Sequence, residues 1–224
     1  MNDIKHVSFD VWKTLIDPSP DFGAARRQLL IDTFDLPPKQ VETAYRWVKD
    51  SSDGDAEAAG IGYTSAQVYE KLMEALGLPA DDWWALRSKI EALFAKHPPI
   101  VRPGVTETLQ ALQTAGYGLS ISSNTNFIAG ACLREVVLDH LGIEWSFALF
   151  SDQMAVAKPN PLMWHAVKSL AALHSNAEPH QVLHVGDNLI CDGRCVDHGL
   201  QFHPINQPAD FPALTGVLLN AQAA

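Results

Sequence analysis

From Arg102 onward the 224-residue chain alternates between two hydrophobic rhythms, and that alternation restricts the fold more than any other feature. Helical spacing over about Gly104–Thr114 leads into the apolar run Leu119–Ser122, and a helical stretch over about Asn126–Leu141 leads into Phe147–Phe150. Leu162–Leu173 is followed in the same way by Val182–Val185, and Cys191–His198 by Gln201–Ile205. Strands that recur after helices need right-handed crossovers, so the pattern predicts an α/β fold, a doubly wound parallel sheet of the Rossmann type with helices on both faces. Phe211–Ala224 reads as a closing helix with a frayed end.

The amino-terminal part supplies one more strand and an insertion. Ile4, Val7 and Phe9 form a short apolar run that stops at Asp10, the signature of a buried central strand whose carboxyl end opens into a site. Ile16-Asp17-Pro18-Ser19-Pro20 then marks a linker. Four helical periods follow: Phe22/Ala25/Leu29, Val41/Ala44/Val48, Val68/Leu72/Leu76 and Trp83/Leu86/Ile90/Leu93. Thr64 with Gln67 predicts a capping box, Asp81 and Asp82 suit a first helical turn, and His97-Pro98-Pro99 ends the last helix. With no strand signal among them, these helices are expected to form an α-helical bundle over residues 17–98, inserted into a core of residues 1–16 and 99–224. Trp47, Trp83 and Trp84 are expected to pack inside it, and Asp50, Asp53, Asp55 and Glu57 around Gly54 to form a mobile, solvated acidic loop.

Charge and cysteine content narrow the partners. A formal charge of -10 without a basic stripe argues against nucleic acid, and no apolar run reaches membrane-spanning length. The first strand starts too early to leave room for a secretory signal, and three cysteines make no disulfide framework, so a cytoplasmic location is expected. Cys191, Cys195, His184 and His198 match no common zinc spacing and read as packed side chains.

In a parallel sheet the strand ends share one edge, so Asp10, Ser123, Lys158 and Asp187 are expected to converge there. Asp10, Asp187 and Asp192 together would crowd three carboxylates into one pocket, raising a pKa or demanding a cation, and a small hard ion such as Mg2+ suits oxygen ligands.

Asp10, the LSISSN stretch at 119–124, the AKPNP stretch at 157–161 and the VLHVGDNLICD stretch at 182–192 resemble, in order and spacing, the four motifs of the haloacid dehalogenase (HAD) superfamily. The resemblance covers nearly the whole chain, with residues 16–98 matching only as an inserted helical cap. It implies a hydrolase, most often a phosphatase, in which Asp10 attacks phosphorus and an aspartyl-phosphate is then hydrolysed. It further implies that Ser123 and Asn124 bind the phosphoryl group and that Lys158 balances its charge. Asp10, Asp187, Asp192 and the carbonyl of Trp12 would hold Mg2+, with Asp192 acting through water or behind the direct ligands. The expected substrate is a small phosphorylated metabolite, and the expected state a monomer or homodimer.

Trp12 departs from the phosphatase pattern. A second aspartate usually stands there as general acid, and losing such a group costs about a hundred- to ten-thousand-fold. An aromatic at this place resembles the 2-haloacid dehalogenases, which use an aspartate on carbon without metal. Those enzymes carry a serine-asparagine pair where this chain has Gly186-Asp187-Asn188, and a tyrosine where it has Trp164. A degenerate protein that binds phosphate and metal without turnover is the third reading that Trp12 leaves open.

Overall fold

A computed structural model describes residues 3–222. Strand β1 (His6–Phe9) leads through a turn to β2 (Ile16–Asp17), followed by helices α1 (Pro20–Phe34), α2 (Pro38–Ala59), α3 (Ser65–Ala75) and α4 (Trp83–Lys96). The chain returns through β3 (Ile100–Val101) to α5 (Val105–Thr114), β4 (Gly118–Ser123), α6 (Gly130–Val136), β5 (Phe147–Phe150), α7 (Ser151–Met154) and α8 (Pro161–Ser175). Strands β6 (Val182–Gly186) and β7 (Gln201–Pro204) and helix α9 (Asp210–Gln222) complete it. Residues 223 and 224 of the expected closing helix lie outside the described residues. No helix among the described residues is long and apolar enough to cross a membrane.

The five main strands form a parallel sheet in the order β5-β4-β1-β6-β7. β1 sits in the middle, with Phe9 beside Ile121 on one side and Val185 on the other. Val7, Phe9, Ile121 and Val185 are fully buried, which explains why these strands read as continuous apolar runs rather than alternating ones. Successive strands run outward from β1 in both directions, so the chain order reverses beside Asp10, and ligands of open sheets bind at such a reversal.

Helices α1–α4 pack on one another, and Leu30, Val48, Leu72 and Ile90 belong to one apolar cluster with the sheet residues. The antiparallel pair β2 and β3 ties both ends of this block together, Ile16 opposite Val101. Thr64 and Gln67 form the expected capping box.

Several local expectations need correction. The acidic stretch at 50–57 is helical, because Val41, Ala44, Val48, Ser52 and Ala56 continue one buried stripe along α2 past Gly54. The interior glycine costs about 1 kcal/mol, less than the stripe recovers, and the Lys49–Asp53 pair (2.6 Å) adds support on the outer face. Trp47 and Trp84 are 57% and 61% exposed, since each lies just off its helix's buried stripe, and only Trp83 packs partly against the core. The helix expected from Asn126 begins at Gly130, where the Asp152 carboxylate accepts the Gly130 N–H (3.1 Å). It ends at Val136, and a 3-10 turn covers Leu138–Leu141. The stretch from Cys191 is likewise a 3-10 segment starting at Gly193, because the Asn188 side chain takes the N–H groups of Ile190 and Cys191.

Close backbone approach fixes the far end of α2. Gly60 ends the helix in the left-handed region (φ 65°), and its carbonyl accepts the N–H of Ala157 (2.9 Å). Ile61 bridges Val156, and a Cβ on Gly62 would stand 2.7 Å from the Val156 backbone. Backbone cannot step aside as a side chain can, so Gly62→Ala is expected to destabilise the fold by about 1–3 kcal/mol. A denaturant titration should show a lower midpoint at unchanged slope, whereas an unchanged midpoint would contradict this packing.

Candidate active site

The carboxyl edge of the sheet collects the predicted residues. Asp10 follows β1, Ser123 ends β4, and Asp187 follows Gly186 of β6. Lys158 arrives from the loop before α8, and Asn124 holds its backbone at both ends: Asn124 Oδ1 accepts the Lys158 N–H (2.7 Å) and Nδ2 donates to the Lys158 carbonyl (2.9 Å).

The Lys158 ammonium lies between two carboxylates, donating to Asp10 Oδ1 (2.8 Å) and Asp192 Oδ1 (2.5 Å). Its side chain is only 1% exposed. Ser123 Oγ donates to Asp10 Oδ1 (3.2 Å) and Thr14 Oγ1 to Asp10 Oδ2 (3.3 Å). Asp192 is fully engaged, since Oδ1 also meets His184 Nε2 (3.0 Å) and Oδ2 accepts the Asn188 N–H (3.0 Å). His184 in turn contacts Ser8 Oγ through Nδ1 (3.3 Å), so a buried polar chain runs from the sheet interior to Asp10.

These contacts separate the three carboxyl groups. Burial alone would raise Asp192, but the Lys158 charge and the His184 hydrogen bond outweigh it and hold the group well below the ordinary carboxylate range. Burial raises Asp10, with Lys158 opposing and Asp192 adding to the rise. For Lys158 burial works against the charge, yet Asp10 and Asp192 keep it well above the usual lysine value. Asp187 is pushed up to about 6 by burial and then by the negative charges of Asp10 and Asp192, with Lys13 and Lys158 opposing and no hydrogen bond to a described residue.

Oxygens of Asp10, Asp187 and Asp192 lie within 4.8 Å of one another. Among the described residues this is the one group of that kind, and it does not include Cys191, Cys195 or the neighbouring histidines. Trp12 stands at the mouth and packs obliquely on Phe94 of α4 (6.1 Å between ring centres). The bridge between residues 12 and 16 uses the Val11 carbonyl and the Lys13 N–H, so the carbonyl of Trp12 takes no part in it.

Above this floor opens a cavity of about 740 Å³, walled by α1, α2 and the loop after β4. That volume suits a small molecule. Glu57 of α2 reaches down to accept a hydrogen bond from Asn188 Nδ2 (2.8 Å). The sequence reads His184 only as a packed side chain, Asn188 as part of the fourth motif and Glu57 as part of a loop, and their contacts here, like that of Thr14, were not expected from it. Thr14 alone carried a signal, standing four residues after Asp10 in a turn that brings it back.

A family model described as haloacid dehalogenase-like hydrolase matches residues 4–193. The chain belongs to this family. Among curated relatives, a phosphoglycolate phosphatase of Mannheimia succiniciproducens is 25% identical over 82% of this chain and 77% of its own length. A phosphoglycolate phosphatase of Pseudomonas putida is 28% identical over 81% of this chain, which spans 62% of that relative. Among solved structures, a 2-haloacid dehalogenase from Pseudomonas syringae has the same fold, with a TM-score of 0.66, 19% identity, and coverage of 96% of this chain and 99% of that one.

Asp187 yields a prediction that needs no ligand. Its folded pKa of about 6 lies above the roughly 3.9 of an unfolded aspartate, so the folded chain binds more protons between these values and loses stability as pH rises through that window. Asp187→Asn removes the group. In a chelating buffer its melting temperature should exceed that of the parent chain at pH 7.5, with the advantage gone below about pH 4. Equal melting at pH 7.5 would show that Asp187 feels no such repulsion.

Proposed function

We propose that this HAD-family hydrolase is a magnesium-dependent phosphomonoesterase acting on a small phosphorylated metabolite. One observation carries the reading: Asp187, with no hydrogen-bonding partner among the described residues, is held against Asp10 and Asp192 at a cost in negative charge. A divalent ion would relieve that cost, whereas displacement of halide from carbon gives no reason to assemble it. Asp10, Asp187 and the carbonyl of Trp12 would hold the ion, with Asp192, already bound to Lys158 and His184, supporting from behind. When bound, the ion supplies positive charge to the phosphoryl oxygens and favours the ionised form of Asp10.

The chain's own residues divide the remaining work. Asp10 attacks phosphorus and the ester P–O bond breaks, leaving a phosphorylated Asp10 that water hydrolyses to phosphate. Ser123 turns its hydroxyl from Asp10 to a phosphoryl oxygen, and Lys158 offsets the charge of the transferring group. Residues 17–98 serve as a cap over the core formed by 1–16 and 99–224, closing the cavity to bulk water. The names of the curated relatives agree with phosphate-ester hydrolysis.

Trp12 favours a second reading, a 2-haloacid dehalogenase, because it places an aromatic ring where a general acid would stand. Assay of p-nitrophenyl phosphate and 2-chloropropionate, each with magnesium or chelator, separates the two. Phosphate release that requires magnesium and drops by roughly a thousandfold or more in Asp10→Asn is expected. Halide release in the chelator would favour the dehalogenase, and release of neither product would make the chain a binding protein.

The missing acid has its own consequence. Without a proton donor at position 12 the leaving oxygen departs with its charge, so kcat across a series of aryl phosphates should climb steeply as the leaving phenol becomes more acidic. A flat series would reveal another general acid in the cavity.

A further inference from the structure

With no hydrogen-bonding partner among the described residues, the Asp187 carboxylate owes its place beside Asp10 to the loop that carries it. Asn188, the next residue, knots that loop. Its N–H donates to Asp192 Oδ2 (3.0 Å), its carbonyl accepts the Asp192 N–H (2.7 Å), and its Oδ1 accepts the N–H groups of Ile190 (2.8 Å) and Cys191 (3.0 Å). All of these contacts stay within residues 188–192. Nδ2 leaves the loop and donates to Glu57 Oε1 (2.8 Å). Among the described residues, this is the one hydrogen bond that joins residues 187–192 to helices α1–α4.

Glu57 starts from backbone that is itself joined to the site. It stands one turn before Gly60, whose carbonyl accepts the Ala157 N–H (2.9 Å) and a hydrogen bond from Asn160 Nδ2 (3.3 Å), and Ile61 bridges Val156. The end of α2 is thereby tied to the loop that delivers Lys158. Glu57 is half-buried, lines the cavity, and has no cation within ion-pair distance among the described residues. A neutral side chain would dock the helix on Asn188, but an ionised acceptor makes a hydrogen bond roughly twice as strong. That grip has a load to bear, because Asp10 and Asp192 repel the Asp187 carboxylate and a looser loop would let it turn away from them.

We propose that Glu57 is a positioning residue for the divalent ion: from the helical block it holds Asn188, and through Asn188 it keeps the Asp187 carboxylate turned toward Asp10. This inference rests on the metal-dependent reading above. The inserted helices then contribute to ion binding without supplying a ligand, because residues that hold a ligand in place set metal affinity nearly as much as the ligands do.

Manganese titration of the full chain, with the free ion read by electron paramagnetic resonance, tests this without turnover. Glu57→Ala, a change that favours the helix, should weaken manganese binding at least about tenfold. Glu57→Gln keeps an acceptor for Asn188 Nδ2 and should stay within about threefold of the parent chain. Asn126→Ala is the control: it removes another contact between core and α2, Asn126 Nδ2 to Asp53 Oδ1 (2.9 Å), and should leave manganese affinity unchanged. Unaltered binding in Glu57→Ala would overturn the assignment. So would an equal loss in Glu57→Gln or in Asn126→Ala, since charge or helix docking alone would then account for it. A parent chain that takes up no manganese would overturn it as well. The expected losses in a chain that releases no phosphate from p-nitrophenyl phosphate would reject the phosphatase reading and keep the role of Glu57. Magnesium-dependent hydrolysis with Glu57→Ala binding manganese like the parent would do the reverse.

Discussion

One buried ammonium holds the site in register. Lys158 lies between Asp10 and Asp192 and opposes the penalty that burial places on the charge of both. Removing one partner of such a buried pair costs about 3–5 kcal/mol, far more than a surface ion pair contributes. Three loops from three parts of the chain are thereby tied to one point. Asn124, which also lines the cavity, extends the tie to a fourth, because its side chain grips the Lys158 backbone.

Around this point the charges are deliberately unbalanced. Lys158 satisfies Asp192 and part of Asp10, whereas Asp187 makes no hydrogen bond or ion pair to a described residue and has its negative charge offset only weakly by Lys13 and Lys158. An arrangement built for stability alone would pair or remove that third carboxyl group, and the divalent ion proposed above would balance it. The helical block meets the site through α2, whose Glu57 accepts a hydrogen bond from Asn188 at the sheet edge.

Much of this was legible in the residues themselves. The alternation after Arg102 predicts the parallel sheet, and a carboxylate directly after the run ending at Phe9 predicts the site at its edge, because both follow from local periodicity. Features that depend on contact between distant elements were not legible. His184 looks like any strand residue until Asp192 folds back onto it, and Glu57 looks like part of a polar loop until the buried stripe of α2 is followed to Ala56. Trp47 and Trp84 mislead for a related reason: hydrophobicity suggests burial, while helix phase decides which side of the helix they face.

The central claim is that Asp10 is the group that takes the phosphoryl moiety, beside a divalent ion held with Asp187. Crystals grown with manganese and beryllium fluoride test it directly, because anomalous scattering locates the ion and fluoroberyllate mimics a phosphoryl group on a carboxylate. The expected result is manganese bonded to oxygens of both Asp10 and Asp187, with the fluoroberyllate attached to Asp10. Manganese absent from Asp187, with Asp10 carrying no fluoroberyllate, would contradict it.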